Sequence, residues 1–271
     1  MLLARNGARA ASRAMRSHLV EHVVEEMRER FREPLTLEEL AGMAILSPYH
    51  FHRVFRDVTG VPPGRFLAAV RMEEAKRLVL TTPLRITDIC LDVGYASFGT
   101  FTTQFKQLVG LNPRQLRRLA ARHAGDELED LCDGLAAAEP GSVSVGGRVA
   151  GPPGYSGTAF VGLFPTQLAQ SRPVTCASLA APGHFVLSGV PEGSYWALAC
   201  AFGSHETVLS SLLPDPDSAL VAVAAEPVVV GPGARHGRVE LVLRKAATTD
   251  PPVVLALPLL LLDEPRLAVA N

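Results

Sequence analysis

Long apolar runs, paired cysteines and a marked overall charge are all missing from this 271-residue sequence. The longest apolar stretch, Val253 to Leu262, is interrupted by Pro258 and is too short to span a bilayer, so it reads as one or two buried strands and no membrane partner is expected. Cys90, Cys132, Cys176 and Cys200 show neither CxxC nor Cys/His ligand spacing, which argues against a disulfide framework and a zinc site and for reduced thiols in a cytoplasmic protein. The arginines at 5, 9, 13 and 16 lie among alanines with no apolar core of a secretory signal behind them. There is no HExxH and no nucleophile elbow, and His184, His205 and His236 stand singly among turn residues. No catalytic residue, metal or cofactor is therefore expected.

The near-neutral balance of −1 conceals a division. Residues 1–123 hold 19 Lys+Arg against 12 Asp+Glu, a net of +7, and residues 124–271 hold 7 against 15, a net of −8. A basic front half suits an anionic partner; the acidic back half suits something else, or folds back to restrain the front. Hydrophobic residues at 48% exclude a largely disordered chain, and the length suits two domains.

What the front half does contain is a repeated frame. In Ser47 to Gly60, Phe51, Val54, Phe55 and Val58 recur at helical spacing, with Tyr49, His52, Arg53 and Arg56 on the other sides; Ser47 suits the N-cap, Pro48 the first turn and Gly60 the C-terminal turn. Fifty residues on, Ser97, Phe101, Phe105-Lys106, Gly110 and Pro113 match Ser47, Phe51, Phe55-Arg56, Gly60 and Pro63. Before the first copy, an amphipathic helix is expected over Met15–Phe31, after Arg/Ala-rich residues 1–14 that fray. A short helix then opens on the capping box Thr36-x-x-Glu39. Between the copies a long helix runs from about Gly64 to Leu80. A short one from Ile86 to Val93 then precedes the second Ser-capped helix, Ser97–Val109. Each pair of short helices joined by a tight turn is a helix-turn-helix pattern, whose second helix lies in the major groove.

Ser47…Arg53-Val54-Phe55-Arg56…Gly60, Arg71-Met72…Ala75…Leu78, Ile86…Ile89-Cys90…Val93-Gly94-Tyr95 and Phe105-Lys106…Gly110-Leu111-Asn112-Pro113 together resemble the DNA-binding domain of the AraC/XylS family of transcription regulators, over about residues 15–120. The resemblance implies double-stranded DNA as partner, with recognition helices 47–59 and 97–109 in successive major-groove segments about one helical turn apart, roughly 34 Å. It implies base contacts from Tyr49, His52 and Arg53 in the first helix and from Phe98, Gly99, Thr100 and Thr103 in the second. Arg53 suits bidentate bonding to guanine; its bland alternative is an ion pair with Asp57. Gly99 and Thr103 stand where the family often carries long polar side chains, so the second helix is expected to read less and clamp more. Arg56, Lys106, Arg114 and Arg117 are the expected phosphate contacts.

Past an acidic linker at 124–142 the vocabulary changes to short β-type runs and Gly/Pro/Ser turns, which at that spacing argue a β-sandwich over 143–271. The run Gly183-His184-Phe185-Val186-Leu187-Ser188-Gly189-Val190-Pro191-Glu192-Gly193-Ser194-Tyr195, with Gly147-Arg148-Val149 and Gly157–Val161 before it, resembles the carboxypeptidase-regulatory-like or prealbumin-like sandwich, whose domains are usually non-catalytic modules for binding or packing. Gly189 and Gly193 serve turns, Phe185, Leu187 and Tyr195 alternate into a core, and Trp196 points away from Tyr195, either to a contact surface, which is slightly favoured, or under a later strand. The expected fold is thus two-domain α plus β: a double helix-turn-helix domain over 15–123, then a sandwich for a small-molecule effector, a protein partner or a second copy. Two other readings attach to the same residues: a scaffold that no longer reads DNA, and an alkyl-transfer repair protein, for which Cys176 and Cys200 lack the Pro-Cys-His context.

Overall fold

The computed structural model describes residues 2–133, 143–214, 219–231 and 238–263, with backbone alone for 2–13, 131–133, 262 and 263. Eight helices come first: α1 (Leu2–Glu29), α2 (Leu37–Met43), α3 (Pro48–Thr59), α4 (Pro63–Thr81), α5 (Ile86–Asp92), α6 (Phe98–Val109), α7 (Pro113–His123) and α8 (Leu128–Asp133). The Arg/Ala-rich start, expected to fray, is the first half of α1. Thr36 caps α2 through the anticipated box, its hydroxyl accepting from the Glu39 N–H at 3.2 Å and the Glu39 carboxylate from the Thr36 N–H at 2.8 Å. Asn112 and Gln115 do the same for α7.

A sheet-rich region follows: β1 (Val145–Ala150), β2 (Gly157–Phe164), β3 (Cys176–Ala181), β4 (Gly183–Leu187), β5 (Gly193–Gly203), α9 (Val208–Leu212), β6 (Leu220–Val223), β7 (Val228–Val230), β8 (Val239–Val242), β9 (Arg244–Lys245) and α10 (Leu257–Asp263). One sheet has the order β4-β1-β8, with β1 and β8 parallel; the other runs β3-β2-β5-β6-β9, with β7 pairing the start of β5.

Strand alternation in β2 and β5 decides how the molecule is held together. Ala159, Val161 and Leu163 with Ala197, Ala199 and Ala201 point to one side, where Val145, Val149, Phe185, Leu187 and Leu241 complete a core between the two sheets. Phe160, Phe164, Leu198, Phe202 and the half-buried Cys200 and Trp196 point to the other side and share a core with the helices. The helical and sheet-rich parts are thus joined by apolar packing. At about 1.5–3 kcal/mol for each large side chain fully buried, against 0–1 for a surface ion pair, that packing outweighs the attraction expected from the +7/−8 charge division.

The run Val253–Leu262 is not a pair of strands. Extended to Ala256, it turns into α10, where Pro258 falls in the first turn and so withdraws no needed hydrogen-bond donor. Leu257, Leu259, Leu260 and Leu261 are all buried against the helical core. Strand β3 has no signal of its own, since Cys-Ala-Ser-Leu-Ala-Ala carries no β-branched or aromatic residue; its pairing with β2, from Gly157 opposite Ala181 to Gly162 opposite Cys176, imposes the strand. Among the described residues, no helix is long and apolar enough to cross a membrane.

Candidate nucleic-acid interface

Helix α3 is specified at both ends. The Ser47 hydroxyl accepts from the His50 N–H at 3.4 Å, and Gly60, at φ 77°, ends the helix with its N–H donating to the Arg56 carbonyl at 2.9 Å. Phe51 and Phe55 are fully buried with ring centroids 5.4 Å apart, and Phe55 meets Phe66 of α4 edge-on at 5.5 Å. With that face spent inward, Tyr49 and Arg53 are exposed, Tyr49 to 83%, and His52 is half-buried. Arg53 makes no salt bridge with Asp57 among the described residues, so its guanidinium faces solvent.

Helix α6 repeats the construction. Ser97 accepts from the Thr100 N–H at 3.4 Å and Gly110 sits at φ 89°. Phe101 packs between Tyr95 and Phe105, each at 5.7 Å. Phe98 at 46%, Gly99, Thr100 and Thr103 lie on the exposed side. The first-turn and outward residues of both helices are thus presented together with their caps, while their C-terminal ends are covered. A side chain at Gly60 would overlap Gln167 in the loop after β2, and one at Gly110 would press on Leu255 and Leu260. The Ala256 N–H donates to the Val109 carbonyl at 2.9 Å, and the Ser171 N–H donates to the Gln107 carbonyl. The described part of the acidic half thus packs against the far ends of both helices and, among the described residues, not over the exposed ones.

The two turns are not identical. The left-handed residue is Ile45 (φ 54°) in the first and Gly94 (φ 82°) in the second. One residue separates Ile45 from its cap serine and two separate Gly94 from Ser97, so the fifty-residue match slips by one across the turn. Ile45 is 90% exposed, an apolar side chain at a strained position of the turn. Buried Tyr95 is held under the Arg71 guanidinium, 5.4 Å from the ring centroid, and its hydroxyl donates to Gln104.

Of the expected phosphate contacts, Arg56, Lys106 and Arg114 are exposed. Arg117 is not available in the same way. Its Nε donates to the Val79 carbonyl at 3.0 Å and its Nη2 to the Thr82 and Leu84 carbonyls at 3.2 and 3.0 Å, closing the C-terminal end of α4. Arg71 is likewise used internally, on the Phe31 and Glu33 carbonyls at 2.7 Å each. Arg65, exposed in the first turn of α4, lines a groove with Arg56, Asp57, Gln167 and Trp196. The contact surface of Trp196 is this junction with the helical half. Nothing in the helical period distinguishes Arg65.

Residues 40–119 match the family model described as "Helix-turn-helix domain". This segment is a helix-turn-helix domain. The chain is 38% identical over 88 residues to the bifunctional transcriptional activator/DNA repair enzyme AdaA of Bacillus subtilis (strain 168), covering 32% of this chain and 42% of that protein. It is 32% identical over 83 residues to the HTH-type transcriptional activator AarP of Providencia stuartii, covering 31% and 62%. Among solved structures, the C-terminal domain of AraT, a response regulator from Geobacillus stearothermophilus, matches at 34% identity over 37% of this chain and 84% of that chain, with a TM-score of 0.36. The chain thus spans about half the length of these two curated relatives.

The helix-turn-helix domain carries Cys90, whose thiol burial pushes up; Cys176 and Cys200 outside it are pushed up to about 12 by burial. His184 and His205 are exposed, and no group of metal-ligating side chains exists among the described residues; Cys132 and His236 fall outside the described side chains.

Proposed function

We propose that the chain is a sequence-specific DNA-binding transcription regulator of the AraC/XylS type, acting in the cytoplasm. The observation that carries this reading is the exposure of the first turns and outward faces of α3 and α6, each presented by its own helix-turn-helix and joined through α4. Arg53 bonds guanine in the major groove, with Tyr49 and His52 beside it; Phe98, Gly99, Thr100 and Thr103 contribute contact rather than polar readout. Arg56, Lys106 and Arg114 take phosphates. The relatives' printed roles as transcriptional activators support the reading. On this account residues 15–123 form the DNA-binding domain, 124–142 the linker and 143–271 a prealbumin-like β-sandwich that takes an effector, a protein partner or a second copy.

The repair activity printed for AdaA is not carried over. A thiol accepting an alkyl group must ionise near neutral pH, and burial works against that at Cys90, Cys176 and Cys200.

Selection of random double-stranded oligonucleotides by the full chain tests the reading; the full chain is required because the helices share a core with the sheets. One enriched motif is expected, with Arg53→Ala costing about 1–3 kcal/mol at a single base pair of it and leaving non-specific binding unchanged. Recovery of no motif at low salt overturns the reading and favours a scaffold.

A further inference from the structure

Lys76 of α4 is 3% exposed, and its ammonium has one long hydrogen bond among the described residues, to the Val253 carbonyl at 3.4 Å. An ammonium carries three donors, and burying it with two unmet is costly unless an anion arrives or a proton leaves. Burial has lowered its pKa to about 8, with Glu73 and Cys200 opposing the shift. The lysine lines a cleft of about 530 Å³ at the junction of α1, α4 and the end of α9, within the size range of small-ligand sites. Phe31, Val70, Leu212, Leu213 and Pro214 supply apolar walls. The other charges there are already matched: Arg28 with Glu73 at 3.1 Å and Arg77 with Glu74 at 2.7 Å. Lys76 is the cation left over among the described lining residues.

We propose that this cleft binds a small organic carboxylate, its anionic head on the Lys76 ammonium and its apolar body against Phe31, Val70 and Leu212–Pro214. A carboxylate fits better than a phosphate, because a phosphate needs several donors and both neighbouring guanidiniums are engaged. The site touches the helix that joins the two helix-turn-helix units and, through Val253, the segment that ends on α6. Its use as an effector site rests on the DNA-binding reading; binding of the carboxylate does not.

The test is calorimetric titration of the full chain, without DNA at pH 7, with octanoate, octanamide and inorganic phosphate. Octanoate is expected to bind one to one, octanamide at least roughly tenfold more weakly, and phosphate not at all. Lys76→Met, of similar length and fully apolar, is expected to abolish octanoate binding while melting at or above the wild-type temperature; should it melt lower, Lys76→Gln decides. Absence of octanoate binding, equal binding of octanamide, or unchanged affinity in a folded Lys76 variant overturns the proposal. Oligonucleotide selection on the same sample separates the two readings: a motif without octanoate binding removes this site alone, and octanoate binding without a motif removes the DNA reading alone.

Discussion

The Gln167 side chain occupies the space that a side chain on Gly60 would need, so the C-terminal end of α3 and the loop after β2 are fitted to each other through a glycine. Gly60 is doubly required there, by its left-handed φ of 77° and by this approach. Gly110 repeats the relationship against Leu260 and Leu255, so the sheet-rich half holds both α3 and α6 by the same kind of joint.

Gly60→Ala is therefore expected to destabilise the chain by about 1–3 kcal/mol, from left-handed strain together with displacement of Gln167. Gly42→Ala, inside α2 with open space around it, is expected to stabilise by about 0.5–1 kcal/mol. Chemical denaturation of the two variants side by side checks both signs.

Ile45 holds a β-branched residue at φ 54° while exposing 90% of its surface, so its packing offsets little of the strain. Ile45→Gly is expected to stabilise by about 1 kcal/mol, and a midpoint shifted upward at unchanged denaturant slope is the measurement.

Arg117→Ala removes three hydrogen bonds to carbonyls at the end of α4 and in the segment that follows it and is expected to cost about 2 kcal/mol of stability. Arg117→Lys cannot reproduce the planar fork and should recover less than half of that. A variant that melts normally but binds all DNA more weakly would instead return Arg117 to the phosphate contacts.

Lys76 has its folded pKa at about 8, below the unfolded value, so at pH 7 both states carry the charge and the folded state bears its burial cost. That cost is relieved as pH rises through 8 towards the unfolded value. Burial of Cys90, Cys176 and Cys200 pulls the other way, since the unfolded thiols ionise first. The difference between Lys76→Met and wild type isolates the lysine: about 3 kcal/mol in favour of the variant at pH 7, shrinking towards pH 10. A difference that does not change between pH 7 and 10 would contradict the shifted pKa.

Much of the helical half was legible because its signals are local. Capping residues at Ser47, Thr36 and Ser97, glycines at 60 and 110, and apolar spacing at 51, 54 and 55 act within a few residues of one another. The outward positions of Tyr49, Arg53, Phe98 and Thr103 follow from the same spacing. The fate of Arg117 was not legible, because its carbonyl partners at 79, 82 and 84 are more than thirty residues away. Arg117 and Arg114 read alike in sequence, and only one of them is exposed. Strand β3 and helix α10 escaped for a related reason: their conformations are set by β2 and by the helical core, not by their own composition.

By itself the sequence determined two helix-turn-helix units, their outward faces and a change to strands after residue 142, since periodicity and capping are properties of neighbouring residues. Tertiary structure alone decided that the two halves share one core, that the acidic half braces the far ends of α3 and α6, and that Lys76 is buried with a single long hydrogen bond among the described residues. Those outcomes depend on which apolar face meets which, and Phe160, Leu198 and Leu260 carry no mark of their partners until the chain has folded.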